Sequence, residues 1–164
     1  MSQVQAARAV PQTASKWKPE IIVFCCNYCA YAAADLAGAR RMQYPPNVRV
    51  VHVPCTGKIE REHILASFEK GIDGVLIAGC LEGGCHFIEG NLRAKRRAEQ
   101  LRDMLDEIGV GRERLRMVNL SAAMAPTFVQ RVNEIVQTIE GLGPNPLKAH
   151  DAPEITQAQK VGVP

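Results

Sequence analysis

The sequence predicts a single α/β domain in which a four-stranded, mainly parallel sheet is flanked by helices. Three observations predict it. Apolar runs of strand length recur along the chain: Ile21-Ile22-Val23-Phe24-Cys25-Cys26, Val50-Val51-His52-Val53-Pro54-Cys55 and Val75-Leu76-Ile77-Ala78-Gly79-Cys80. Segments of helical period separate them, the pattern of parallel strands joined by crossover helices. Each run also closes on a cysteine in its sixth place, so Cys26, Cys55 and Cys80 are expected at one depth on the carboxyl rim of the sheet.

Taken in order, residues 1–19 are polar and Ala/Gln-rich, contain Pro11 and Pro19, and offer no buried face. They are read as a flexible or partner-bound N-terminal arm. The folded domain is expected over 20–142, with strands at 21–25, 48–53, 74–79 and 115–120. A first helix should run from near Cys29 through an Ala-rich stretch to Met42, before Pro45-Pro46 stops it. A second covers about 60–70 and ends at Gly71. In the third, Ala94, Ala98, Leu101, Leu105 and Ile108 recur at spacings of four, three, four and three, which puts them on one face, with Gly109 as terminator. Met124, Phe128, Val129, Val132, Ile135, Val136 and Ile139 stripe the fourth, with Ser121 as N-cap and Gly141 just past its end. Residues 143–164 carry four prolines from Pro144 onward and are read as an extended C-terminal arm. The whole is a flavodoxin-like arrangement with its cysteines at the C-terminal rim of the strands.

A chain of 164 residues with 46% hydrophobic residues is of a size and composition for one domain with a real core. Its formal charge of +3 is small beside 20 basic and 17 acidic residues, and no basic stretch is interleaved with aromatics. Nucleic acid is therefore not expected as a partner. Nor is a membrane, since no apolar run approaches spanning length and the N-terminus has no apolar core segment. The expected location is the cytoplasm, where thiols stay reduced and clustered cysteines signify metal or catalysis.

All six cysteines fall at the end of the sheet where helix N-termini converge, and their positive field eases the close approach of several thiolates. A single cysteine is more often a small buried hydrophobe. Six at one end point to a metal centre, with iron–sulfur the leading reading. The favoured ligands for a [2Fe–2S] cluster, which takes four, are Cys26, Cys55, Cys80 and Cys85. The glycines of Leu81-Glu82-Gly83-Gly84 are expected to let the chain wrap closely around the centre. Cys29 is the main alternate, and Cys26-Asn27-Tyr28-Cys29 also has the spacing of a dithiol pair at a helix start. Cys25, one residue out of phase with Cys26 on the same strand, is the other alternate and is expected to pack.

His86 is read as a hydrogen-bond donor or surface residue rather than a ligand, and His52 as an interior or edge residue. The run Arg93, Lys95, Arg96 and Arg97, like Arg40 and Arg41, has a plain reading as a solvated helix face. Its sharper reading is a dock for an acidic partner or a flavin phosphate, since cations in the first turns of a helix oppose its dipole. Dinucleotide-binding and phosphate-binding glycine motifs are absent, as is a phosphatase loop after Cys25 or Cys26. A thiol-rich rim without acid, base or substrate pocket favours electron transfer without turnover of its own. Two alternatives remain: a thiol–disulfide oxidoreductase using Cys26 and Cys29, and a structural zinc module.

Four separated motifs then point to a family: Phe24-Cys25-Cys26-Asn27-Tyr28-Cys29-Ala30-Tyr31, Arg41-Met42-Gln43-Tyr44-Pro45-Pro46-Asn47-Val48-Arg49, Gly74-Val75-Leu76-Ile77-Ala78-Gly79-Cys80 and Cys85-His86-Phe87-Ile88-Glu89-Gly90-Asn91. In these, over roughly residues 20 to 140, the chain resembles the delta (iron–sulfur) subunit of methyl-viologen-reducing hydrogenase. The resemblance implies one [2Fe–2S] cluster and a place between a hydrogenase or formate dehydrogenase module and the flavin-containing subunit of a heterodisulfide reductase. FAD, on this reading, sits only on that partner, where electron bifurcation takes place. The family's cysteine pattern maps onto Cys25, Cys26, Cys29, Cys55, Cys80 and Cys85. Thr56-Gly57 stands where many relatives have Ser-Gly, and Leu81-Glu82-Gly83-Gly84 where the family has His-Pro-Gly-Asp.

Overall fold

The computed structural model describes residues 17–150, and side chains for residues 17–148. The N-terminal arm expected over 1–19 therefore lies outside the described residues up to 16, and the C-terminal arm from 151 onward.

Four strands, β1 (Ile21–Cys26), β2 (Val48–Val53), β3 (Gly74–Cys80) and β4 (Leu115–Leu120), alternate with four helices, α1 (Ala30–Ala39), α2 (Arg61–Glu69), α3 (Gly90–Glu107) and α4 (Ala125–Leu142). The strands form one sheet in the order β2-β1-β3-β4, and every pairing is parallel. Alternation along the two central strands fills two cores. Ile21, Val23 and Cys25 with Leu76, Ala78 and Cys80 face α1 and α4, while Phe24, Val75 and Ile77 face α2 and α3. β3 is buried along its whole length, as a central parallel strand covered on both faces must be.

The helical stripes work largely as their periodicity predicts. Phe128, Val132, Ile135 and Ile139 of α4 are all fully buried, each worth about 1.5–3 kcal/mol relative to exposure. Ile108 is the exception. It is 58% exposed, because α3 ends at Glu107 and Gly109, at φ +78°, turns the chain so that Val110 takes the core position. At α4 the cap is Met124 and not Ser121, and the terminating glycine with positive φ is Gly143, not Gly141. α1 stops at Ala39, short of Met42. Arg41 adopts φ 55°, with Arg41 N–H donating to Gly38 O and Met42 N–H to Ala37 O. This closure leaves Met42 packed on the core as a residue beyond the helix.

At the amino end of the sheet, Asp73 is fully buried. It accepts hydrogen bonds from the backbone N–H groups of Glu20 and Asn145 and from Lys148 Nζ, each at 2.8 Å. Arg114 spans Val110 O, Asp73 O and Pro144 O. Residues 144–148, expected as part of an extended arm, are thereby held against the domain. No helix among the described residues is long and apolar enough to cross a membrane.

Candidate metal centre

The register corrects the expectation that three cysteines end at one depth. Ile21 pairs with Val48 and with Gly74, so Cys26 stands level with Val53, and Cys25 with Ala78. Cys55 lies two residues beyond the end of β2, and Cys80 one step beyond Cys26 on β3. The apolar run counted from Val50 misses the first two residues of β2, one of which, Arg49, is polar and exposed. Side-chain character alone does not mark where strand pairing begins.

The thiols meet nonetheless. Cys26 Sγ lies 3.5 Å from Cys80 Sγ, and the N–H of Ala30, at the start of α1, points at Cys26 Sγ from 3.4 Å. Cys29 is the residue that caps α1, one turn from Cys26. The sulfurs of Cys26, Cys29 and Cys80 all lie within 4.8 Å of one another. Cys55 and Cys85 form a second group, the sulfurs of both lying against Gly90. Cys55 is brought there by a short 3-10 turn, Thr56–Lys58, whose Gly57 N–H donates to Cys55 Sγ at 3.4 Å. Of the four favoured residues, then, Cys26 and Cys80 sit in the trio and Cys55 and Cys85 in the neighbouring pair. Cys29 stands in the trio with the first two.

Cys25 is placed differently. Fully buried against α1 and α4, its thiol is pushed up to about 12, first by burial and then by Cys26 beside it. Burial raises Cys80 as well, and its hydrogen bonds to Cys29 and Cys26 add to the rise. Cys55 is raised by burial against the opposing Gly57 N–H. Cys85 is the contrast: burial pushes it up, yet the N–H groups of Asn91, Phe87 and Gly90 outweigh this and hold it below the ordinary thiol range.

The close-approach glycines are Gly57 and Gly90, rather than Gly83 and Gly84. A Cβ on Gly90 would overlap Cys55 Sγ and meet Cys85 Sγ at 3.4 Å, and one on Gly57 would meet the Gly90 Cα at 2.8 Å. Around Gly83, by contrast, a Cβ would have open space. Sequence reasoning also missed Asn91, which is buried and donates through Nδ2 to Cys80 O at 3.0 Å and Leu81 O at 2.9 Å. It thereby ties the end of β3 to the start of α3. The signal lay in the Gly90-Asn91 pair that ends the fourth family motif.

The other candidates are otherwise engaged. His86 stacks on Tyr28 with ring centroids 3.9 Å apart, and His52 Nε2 lies 2.7 Å from Asn27 Oδ1 at the exposed edge of β2. Lys95 pairs with Glu82 at 2.7 Å and Arg93 with Glu89 at 3.5 Å. Arg97 bonds Glu60 at 3.0 Å and Gly57 O at 2.7 Å, so it braces the turn behind Cys55. Arg96 alone of that run is exposed and outside these pairs.

An all-sulfur donor set fits a thiophilic metal centre. Five thiols crowd one rim, and burial opposes the ionisation of Cys55 and Cys80. A metal cation offsets both that cost and the repulsion between neighbouring thiolates. Inward-pointing N–H groups at Cys26 and Cys55 suit thiolates held against such a centre.

Comparison with known proteins agrees with this chemistry. The family profile described as methyl-viologen-reducing hydrogenase, delta subunit, matches residues 21–143. The chain is 50% identical over 131 residues to the iron-sulfur subunit of the vhu F420-non-reducing hydrogenase of Methanocaldococcus jannaschii, covering 80% of this chain and 98% of that one. It is 43% identical over 129 residues to the F420-non-reducing hydrogenase iron-sulfur subunit of Archaeoglobus profundus, covering 79% and 94%. In Methanosarcina acetivorans the similar stretch lies inside a longer protein, named as a subunit of the Ferredoxin/F(420)H(2)-dependent CoB-CoM heterodisulfide reductase. There identity is 43% over 126 residues, 77% of this chain but 16% of that one. Since the profile runs through all four strands and every rim cysteine, the chain belongs to the methyl-viologen-reducing hydrogenase delta-subunit family.

Proposed function

We propose that this chain is an electron-transfer subunit holding one [2Fe–2S] cluster at the thiol rim. It would work in the cytoplasm, between a hydrogenase or formate dehydrogenase module and the FAD-containing subunit of a heterodisulfide-reductase-type bifurcating complex. The observation that carries the reading is the convergence of Cys26, Cys29 and Cys80 to within 4.8 Å, with the Cys55–Cys85 pair beside them. The names of the relatives support the cofactor. The Methanosarcina protein supports the partner, because in it a stretch similar to this chain is part of a heterodisulfide reductase polypeptide.

Proximity favours Cys26, Cys29 and Cys80 as three ligands. Cys85 is the preferred fourth, because the nearby backbone N–H groups of Asn91, Phe87 and Gly90 outweigh its burial and hold its thiol below the ordinary range, which favours the thiolate a metal takes. Cys55 is its reserve. When bound, a [2Fe–2S] centre supplies a one-electron couple. The chain's own part is to orient the thiolates through the N–H groups of Ala30 and of the Asn91 region, and to keep backbone close through Gly57 and Gly90. The β-sheet core beneath excludes water from the inner side.

The test is anaerobic purification followed by metal analysis and electron paramagnetic resonance of the dithionite-reduced chain. About two irons per chain and a signal from a reduced [2Fe–2S] centre are expected. Cys→Ser changes at Cys26, Cys29, Cys80 or Cys85 should abolish or alter that signal. Colourless protein with zinc bound would overturn the reading in favour of a structural zinc module. Insulin reduction by metal-free protein that depends on Cys26 and Cys29 would favour the dithiol enzyme.

A further inference from the structure

Asparagine is a poor strand former, because its short amide competes with the ladder for backbone groups. β4 carries one all the same, Asn119, one residue before the strand ends. Asn119 is half-buried at the outer edge of the sheet and lines two grooves, one toward α4 and one toward α3, so part of it is open to solvent. Its amide does not turn to the water. Nδ2 donates instead to Cys80 O on the neighbouring strand.

Cys80 is a residue that needs holding. It is the last residue of β3, level with Leu120 on β4 and one step beyond the end of β1. Past it the chain leaves the sheet into Leu81, which is 43% exposed. A carbonyl oxygen offers two lone pairs, and asparagine side chains take both on Cys80 O: Asn91 Nδ2 from the start of α3, at 3.0 Å, and Asn119 Nδ2 from β4. The Asn91 amide is itself fixed, since its Oδ1 accepts from the Leu92 N–H at 2.9 Å. Gly79 is the residue level with Asn119, and without a side chain there the Asn119 amide has room to lean along β3. A carbonyl held from two elements fixes the ψ torsion of Cys80. Rotation about χ1 is then the one freedom left to place Cys80 Sγ, which lies 3.5 Å from Cys26 Sγ.

We propose that Asn119 is a positioning residue for the metal centre: with Asn91 it clamps the Cys80 carbonyl and so sets where Cys80 Sγ stands relative to Cys26 and Cys29. The proposal rests on the electron-transfer reading of the rim. Asn119 acts through the Cys80 backbone, in the manner of the outer groups that orient metal ligands, whose loss typically costs about ten- to a hundredfold in metal affinity. A relay gains from such a clamp, because its ligands then keep one arrangement in both oxidation states.

The test compares the full-length, anaerobically purified chain with Asn119→Leu, which keeps the size of the side chain and removes the donor. Met117→Leu, on the same strand, is the control. In Asn119→Leu a chelator should strip iron about tenfold faster or more, and the electron paramagnetic resonance spectrum of the reduced centre should shift. Met117→Leu should match the wild type in both. In metal-free Asn119→Leu, alkylation of Cys80 should quicken roughly two- to tenfold, the effect of one lost hydrogen bond on local opening at the end of β3, while Cys25 keeps its wild-type rate. An unchanged chelation rate and spectrum overturn the proposal. So does equal quickening at Cys25 and Cys80 with a lowered thermal midpoint, which would make Asn119 a residue of general stability. Wild-type protein that takes up no iron would sink the electron-transfer reading, and Cys80 alkylation then decides the clamp: faster in Asn119→Leu upholds it, the wild-type rate overturns it.

Discussion

Cys25 and Cys85 sit in opposite environments on the same rim, although they differ in sequence by nothing that composition reveals. Cys25 is sealed in the core and pushed up to about 12, whereas Cys85 is half-buried and held down by backbone N–H groups. Alkylation of metal-free protein with iodoacetamide should therefore modify Cys85 before either Cys25 or Cys80, read by mass spectrometry of the labelled peptides. Cys25→Ala should keep full metal content. Because its folded value is raised, neutral Cys25 adds stability that is fully present below 9.0 and is lost as pH rises toward about 12. Denaturant titrations of metal-free protein should show that decline, and Cys25→Ala should flatten it. Gly90→Ala is a separate residue-scale prediction. Its Cβ would overlap Cys55 Sγ, an overpacking that costs about 1–3 kcal/mol. Metal content of the purified variant should fall with it.

Between elements, the junction of β3 and α3 matters more than either alone. Asn91 holds the carbonyls of Cys80 and Leu81 to the first turn of α3, and so fixes Cys80 relative to the loop that carries Cys85. Asn91→Ala removes the donor to both carbonyls, and each such hydrogen bond is worth about 0.5–1.5 kcal/mol. Hydrogen exchange should quicken at residues 80–85 in that variant, while α4 stays protected. The elements themselves were legible in the sequence, because β1, β3 and the α4 stripe each bury what their period predicts. Ile108 was not, since periodicity cannot tell that a helix stops one residue before its stripe does. The equal depth of Cys26, Cys55 and Cys80 failed for a related reason: pairing register depends on the neighbouring strand, and Val48 rather than Val50 faces Ile21.

Across the whole molecule, the two ends of the sheet divide the work. The carboxyl end gathers thiols, and the amino end gathers Asp73, Arg114, Asn145 and Lys148 into a buried network. Burial pushes the Arg114 guanidinium down, and the nearby Asp73 opposes that shift. Removing the carboxylate by Asp73→Ala leaves buried donors without a partner and should cost about 3–5 kcal/mol. Urea denaturation would measure this, with the visible absorption per folded chain unchanged. A loss of metal in proportion to the loss of stability would instead mean that the two ends are coupled.

Layering, the four strands and helices, the rim that carries the thiols and the family can all be read from the order of residues alone, since they follow from local periodicity and from motifs of fixed spacing. Which thiols meet is a tertiary matter. Cys29 joins Cys26 because α1 begins just after them, Cys80 arrives from a strand fifty-four residues on, and Cys55 meets Cys85 where two glycine backbones touch. Distances between separate loops depend on register, on turns such as Thr56–Lys58 and on the absence of a Cβ at Gly90, and none of these is written in the spacing of the cysteines.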